Sequence, residues 1–151
     1  MPIWTRPPTL EHITATNRDT AGESLGIEFT EIGDDFIRGR MPVDARTVQP
    51  RGILHGGASV LLAETLGSVA ANYCLRGEHQ AAVGLEINAN HIRSVASGWV
   101  TGTARPIHIG GSTQVWEIRI ENDEGKLTCI SRITMAVITL PTASAGSAQT
   151  G

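Results

Sequence analysis

Apolar and polar residues alternate through SLGIEFTEIGDDFIRGRMPV (residues 24–43), pausing at GDD and resuming beyond it. A period of two puts successive side chains on opposite faces of a strand, so this stretch predicts a β-hairpin. A loop rich in turn formers follows, DARTVQPRGILHGG (44–57). The period then changes. LHGGASVLLAETLGSVAANY (54–73) predicts a long apolar helix from about Gly57 to Tyr73, stopping near RGEHQ. Upstream, PPTLEHITAT predicts a short helix with Thr9 as its N-cap and Glu11 in its first turn. Downstream the pattern returns to strands: AAVGLEINANHIR, GWVTGTARPIHI, STQVWEIRIE and LTCISRITMAVITL, with connections at GG and NDEGK. In the first of these, Val83, Leu85, Ile87 and Ala89 share one face and Glu86, Asn88 and Asn90 the other.

The predicted architecture is α+β: two strands, one long helix, then four strands as an antiparallel meander. The strands need a cover on one face, and the central helix is the apolar element long enough to supply it. Residues 1–140 are read as a single domain. PTASAGSAQTG (141–151) is small, polar and aperiodic, and is expected to be a disordered tail.

Composition removes several classes of function. The chain has 151 residues, 40% hydrophobic and 18% charged, which suits one globular domain with its own core. A formal charge of −3 leaves no electrostatic footprint for nucleic acid, and no basic run suits a membrane surface. No run approaches the ~20 apolar residues of a membrane span. MPIWTRPPTLEH lacks an apolar stretch of signal-peptide length. Two cysteines, Cys74 and Cys129, are too few for a disulfide framework and read as small buried thiols. A reducing cytoplasm is the expected setting.

One residue breaks the apolar helix. Glu64 sits among Leu61, Leu62, Ala63, Leu66, Gly67, Val69 and Ala70. A carboxylate buried alone costs several kcal/mol, so it must be paired, solvated or neutralised. It could serve a buried hydrogen-bond network, or the helix could be less buried than its composition suggests. Its neighbours favour chemistry. Ser68 lies one turn on, on the same helical face. His55, Gly56 and Gly57 stand where the helix begins, where unpaired N–H groups and the positive dipole end favour negative charge. Together these could polarise a carbonyl and activate its attacker. Gly56 and Glu64 are eight residues apart, about 12 Å along a helix axis. Both would need to come within ~3 Å of one reacting carbonyl. One straight helix cannot arrange that, so Gly56 of one subunit must meet Glu64 of another across a two-fold axis.

GILHGGASVLLAETLGSVA resembles the central-helix signature of hotdog-fold acyl-CoA thioesterases, and VGLEINANHIRS is similar to the strand that follows it there. MPVDARTVQPRGILHGG and PIHIGGSTQVWEIRI resemble the subgroup of dihydroxynaphthoyl-CoA and 4-hydroxybenzoyl-CoA thioesterases. The resemblance runs through residues 3–140 in element order. It implies a hotdog fold, a long helix wrapped by an antiparallel sheet of about six strands, with active sites at a dimer interface. It implies a homo-oligomer, a dimer at least and a tetramer as a dimer of dimers, acting on an acyl-CoA without a cofactor. In its terms Glu64 is the catalytic carboxylate, activating water or attacking the thioester itself, and the Gly56 N–H polarises the carbonyl. Gln49 and His55 match positions near that carbonyl, and Ser68 matches a hydroxyl that positions water or the acyl group. Aryl-specific relatives often carry threonine at that last position. His91, Arg93 and Ser94 match a stretch near the CoA channel, and His108 and Gly110 would lie near its nucleotide end.

The residues read alone are less committal. By strict alternation His91 shares a face with Val83 and Leu85 while Ile92 falls on the polar one, which a bulge near Asn90 would resolve. His91 could equally be hydrogen-bonded at the sheet margin. Arg93 suits phosphate, since a guanidinium fork matches its oxygens, or it is a solvated strand cation. IHIGGS lacks the spacing and lysine of a phosphate-binding loop and reads mainly as a turn. His12 could face an acyl pocket. No histidine pair has i, i+4 spacing, so no metal is expected. Trp4, Trp99 and Trp116 read as packing, and Asp34–Asp35 as solvated turn carboxylates. Two rival functions stand beside the thioesterase: a hotdog dehydratase on acyl-ACP or acyl-CoA, with His55 as its histidine, and a non-catalytic acyl-CoA-binding module.

Overall fold

A computed structural model describes residues 1–142; positions 143–151 of the expected tail lie outside the described residues. The elements run α1 (Leu10–Thr16), α2 (Ala21–Ser24), β1 (Glu28–Ile32), β2 (Ile37–Pro42), α3 (Gly56–Asn72), β3 (Gln80–His91), β4 (Trp99–Ile109), β5 (Thr113–Asn122) and β6 (Leu127–Thr139). Thr9 caps α1, accepting the His12 N–H as the sequence predicts. The short turn α2 was not foreseen; Thr20 caps it by accepting from the Glu23 N–H.

The six strands form one antiparallel sheet in the order β1-β2-β4-β5-β6-β3. The sheet wraps α3, which is the expected hotdog arrangement. Leu62, Ala63, Leu66, Ala70 and Ala71 of the helix are buried together with Val100, Ala104, Trp116, Ile118, Ile120, Ile133 and Met135 of the sheet. Trp116 is fully buried, and Trp4 stacks on it from the N-terminal segment with centroids 6.5 Å apart. At the far end of α3, Asn72 ties helix to strand: its Oδ1 accepts the Ala82 N–H at 3.0 Å, and its Nδ2 donates to the Ala82 carbonyl at 3.1 Å.

The helix lies close to the sheet because two glycines floor the contact. Gly39 and Gly102 are register partners on β2 and β4. A Cβ on either would come within 2.9 or 2.7 Å of a Leu66 methyl, and Leu66 is fully buried. Gly102→Ala is therefore expected to overpack the core and cost about 1–3 kcal/mol, read as a lower urea midpoint with an unchanged m-value.

The edge strand departs from the predicted pattern. The bulge falls at Leu85, between Gly84 and Glu86, and not near Asn90; pairing with β6 then runs unbroken from Glu86 to His91. One extra residue reverses which face follows. Ile87 and Ala89 pack against the core and the His91 ring reaches Gly56 at the start of α3, whereas Val83 and Leu85 are 41% and 65% exposed. This twelve-residue strand has no strand on its outer side among the described residues. The outer face of the sheet is polar, carrying exposed ion pairs such as Arg40–Glu28 and Arg105–Asp35. Asp35 is thus paired, though still exposed, where a merely solvated turn was expected. Both cysteines are buried free thiols, and burial pushes Cys74 up to about 11.

Candidate active site

The site starts from a pinned loop. Leu54 donates its N–H to the Val95 carbonyl at 2.7 Å, and His55 donates to Thr47 at 2.8 Å. Between them residues 49–53 close on themselves: Gln49 N–H bonds to Ile53, and Gly52 N–H to Gln49. Gly52 makes this turn with φ of +77°, which a side chain would strain. The chain then enters α3 with His55 as N-cap, its Nδ1 accepting the Gly57 N–H at 2.8 Å. That nitrogen therefore carries no proton here. The His55 carbonyl accepts from Ala58 and Ser59. The Gly56 N–H has no acceptor among the described residues.

A cavity of about 280 Å³ opens at this helix end. Gln49, Gly56, His91, Arg93 and Ser94 all line it, between walls of Ile53, Leu54, Ile92 and Val95. Five residues singled out in the sequence are thereby gathered from three segments. The Gln49 Oε1 is engaged by the Arg51 N–H, which leaves its amide NH₂ as the group without a partner. The His91 ring packs against Gly56; its Nε2 would stand 2.8 Å from a Cβ there, so a larger residue would push the ring aside. Arg93 is anchored through Nη1 to the Leu127 carbonyl at 2.7 Å and keeps its other donors. The cavity thus combines donors near the helix end, an apolar middle and a cation. Ser59 and Thr128 also line it, and neither was anticipated.

The other expected residues lie elsewhere in the single chain. Glu64 is exposed, not buried as its apolar neighbours suggested. It shares a stripe of α3 with exposed Gly57 and half-buried Leu61 and Ser68. Its Oε1 would be 2.7 Å from a Cβ at Gly84, so the carboxylate rests against the strand where the side chain is missing. A glycine inside a strand pattern signals a bulge or a close approach, and that signal was available in AVGLEIN. Ser68 lines two further cavities, one of about 320 Å³ that also holds His12 and Tyr73. His108 and Gly110 sit at the β4–β5 turn. Ser112 there accepts from Val137, near the strand ends that Asn72 clamps, so they are at the opposite end of α3 from Gly56. His55 is exposed and acts as the cap described above.

A long helix wrapped by a six-stranded antiparallel sheet, with a donor-lined cavity at the helix N-terminus, defines a hotdog-fold protein. Residues 51–129 match the Thioesterase superfamily, and the chain belongs to that family as a thioester-hydrolysing enzyme. It is 52% identical over 136 residues to the 1,4-dihydroxy-2-naphthoyl-CoA hydrolase of Escherichia coli, covering 90% of this chain and 99% of that one. To the proofreading thioesterase EntH of Cronobacter turicensis it is 50% identical, covering 90% and 98%. The crystal structure of a thioesterase from Haemophilus influenzae superposes with a TM-score of 0.89 at 50% identity, covering 93% of this chain and 98% of that one. The family disfavours the dehydratase and binding-module readings.

Proposed function

We infer that the protein hydrolyses an acyl-CoA thioester at sites shared between two copies of the chain, and that its acyl group is aromatic, of the dihydroxynaphthoyl or hydroxybenzoyl type. The observation that carries this reading is the unpartnered Gly56 N–H at the mouth of a cavity that also holds Gln49, while Glu64 lies exposed two turns along the same helix. Gly56 and the Gln49 amide polarise the thioester carbonyl; Glu64 of the other copy activates water or attacks directly. The leaving thiolate needs little help from an acid, so one carboxylate and a few donors suffice. Arg93, Ser94 and His91 hold the CoA side of the substrate, with His108 and Gly110 of a neighbouring copy at its nucleotide end. His55 fixes the helix entrance, and Ser68 positions water or the acyl group.

Two features support assembly. Glu64 and Gly57 are exposed on α3 in one chain, and β3 offers a long, partly apolar edge with Val83 and Leu85 exposed. Such edges are ordinarily blunted or covered. Pairing β3 with a second copy would cover it and set two antiparallel α3 helices side by side. A dimer is the smallest active unit in this reading, and a tetramer of two such dimers is its fuller form. The aromatic substrate rests on the likeness to the hydrolase of Escherichia coli.

The test is a panel of aromatic and aliphatic acyl-CoAs followed by release of free thiol. Cys74 and Cys129 are buried, so the native protein contributes little colour of its own. Hydroxyaryl-CoAs turned over fastest is the expected result; a preference for aliphatic chains overturns the aromatic assignment.

A further inference from the structure

Five polar residues are buried among the described residues: Thr47, Ser59, Gln114, Thr128 and Ser131. Four of them use their side chains within the fold. Thr47 donates to the Pro42 carbonyl, Gln114 to Ala71, Thr128 to Ile120 and Ser131 to Asn88. Ser59, 3% exposed, has no side-chain hydrogen bond among the described residues. Yet no side-chain polar atom that is fully sealed from solvent lacks a partner. The Ser59 hydroxyl is therefore not sealed, and the opening it meets is the cavity beside Gly56, which it lines.

Its position on the helix says where in that cavity it stands. With His55 as N-cap, Leu54 is the residue before the cap and Ser59 the fourth helical residue, two positions whose side chains meet across a helix entrance. Side chains on a helix lean toward its N-terminus, and Ser59, three residues beyond Gly56 on the same helical face, lines the same cavity as Gly56. Gly56 has no Cβ to screen it. The fold gives this hydroxyl no protein partner among the described residues, while alanine occupies buried positions 58, 63, 70 and 71 of the same helix. A hydroxyl retained at this place is explained by a partner that arrives with the substrate.

We propose that the Ser59 hydroxyl is a further hydrogen-bond donor to the substrate's thioester carbonyl, beside the Gly56 N–H. This rests on the thioester reading above and adds a residue to it. When water adds to the carbonyl carbon, its proton passes to Glu64 and the C=O π pair moves onto oxygen; when Glu64 adds instead, the same pair moves, and the mixed anhydride left after thiolate loss is cleaved by water. In either route the bond from Ser59 to that oxygen strengthens as its charge grows. Collapse restores C=O and expels the thiolate. Ser59 neither gains nor loses a proton. It is a donor and not a nucleophile.

The test compares the wild type with Ser59→Ala and Ser59→Thr. Ser59→Ala is expected to lower kcat on the order of 10²-fold, as loss of one such donor does elsewhere, with a smaller rise in KM because the hydroxyl already bonds the ground-state carbonyl. Its Tm should hold, because no side-chain hydrogen bond within the fold is lost, and Ser59→Thr should keep most of the activity. Two inert probes isolate the contact: a benzoyl-CoA analogue with methylene in place of the ester sulfur, which keeps the carbonyl, and S-benzyl-CoA, which lacks it. Ser59→Ala should bind the first more weakly and the second as the wild type does. A kcat within twofold of wild type, or equal weakening toward both probes, overturns the assignment. A wild type that binds neither probe and hydrolyses no acyl-CoA fails at the earlier step, and the substrate reading falls with it.

Discussion

Glu64→Gln is expected to lower kcat by about 10³-fold while the protein stays folded, a barrier increase of about 4 kcal/mol. The substitution keeps shape and polarity and removes only the charge and the basic oxygen. Glu64 is exposed in the single chain and makes no ion pair among the described residues, so nothing in the fold depends on its charge. Whether the carboxylate activates water or attacks the thioester, glutamine can do neither. The measurement is thiol release at saturating acyl-CoA, with circular dichroism and Tm as controls. Turnover within tenfold of the wild type would remove Glu64 from the mechanism.

The second large effect is a recovery. Gly56→Val places a branched side chain where even a Cβ would stand 2.8 Å from the His91 Nε2, so it should close the cavity at the helix end and abolish activity. Glu64→Gln abolishes it for a different reason. If each site takes Gly56 from one chain and Glu64 from the other, a mixed dimer of the two variants holds one site with both residues intact and one with neither. Co-refolded in equal amounts, half the dimers are mixed and half of their sites work, giving about a quarter of wild-type activity. Two inactive proteins then yield an active one. If one chain supplied both groups, every site would carry a defect and the mixture would be no better than its parts. The ~12 Å between the two positions on α3 is the reason to expect recovery.

Much of this molecule could be read from local pattern. The hairpin about GDD, the Thr9 cap, the central helix and the four later strands follow from periodicity and capping, which are properties of neighbouring residues. Gln49, Gly56, His91, Arg93 and Ser94 were picked out one by one, and the fold brings them to a single cavity. The bulge was misplaced because alternation alone does not say where an extra residue is absorbed. Gly84, set against the Glu64 carboxylate, marks the place, but only once helix and strand are side by side. Ser59 could not be found at all from sequence, where it is one small residue on an apolar helix.

The chain by itself determined the six strands, the long helix and their order, and the rise per residue of that helix is what motivates the proposal of a second copy. Only the tertiary structure decided that Glu64 faces outward, that Val83 and Leu85 line an open edge, and that a serine hydroxyl is left without a partner beside Gly56. Burial and hydrogen-bond satisfaction depend on residues far apart in sequence, so no local pattern carries them.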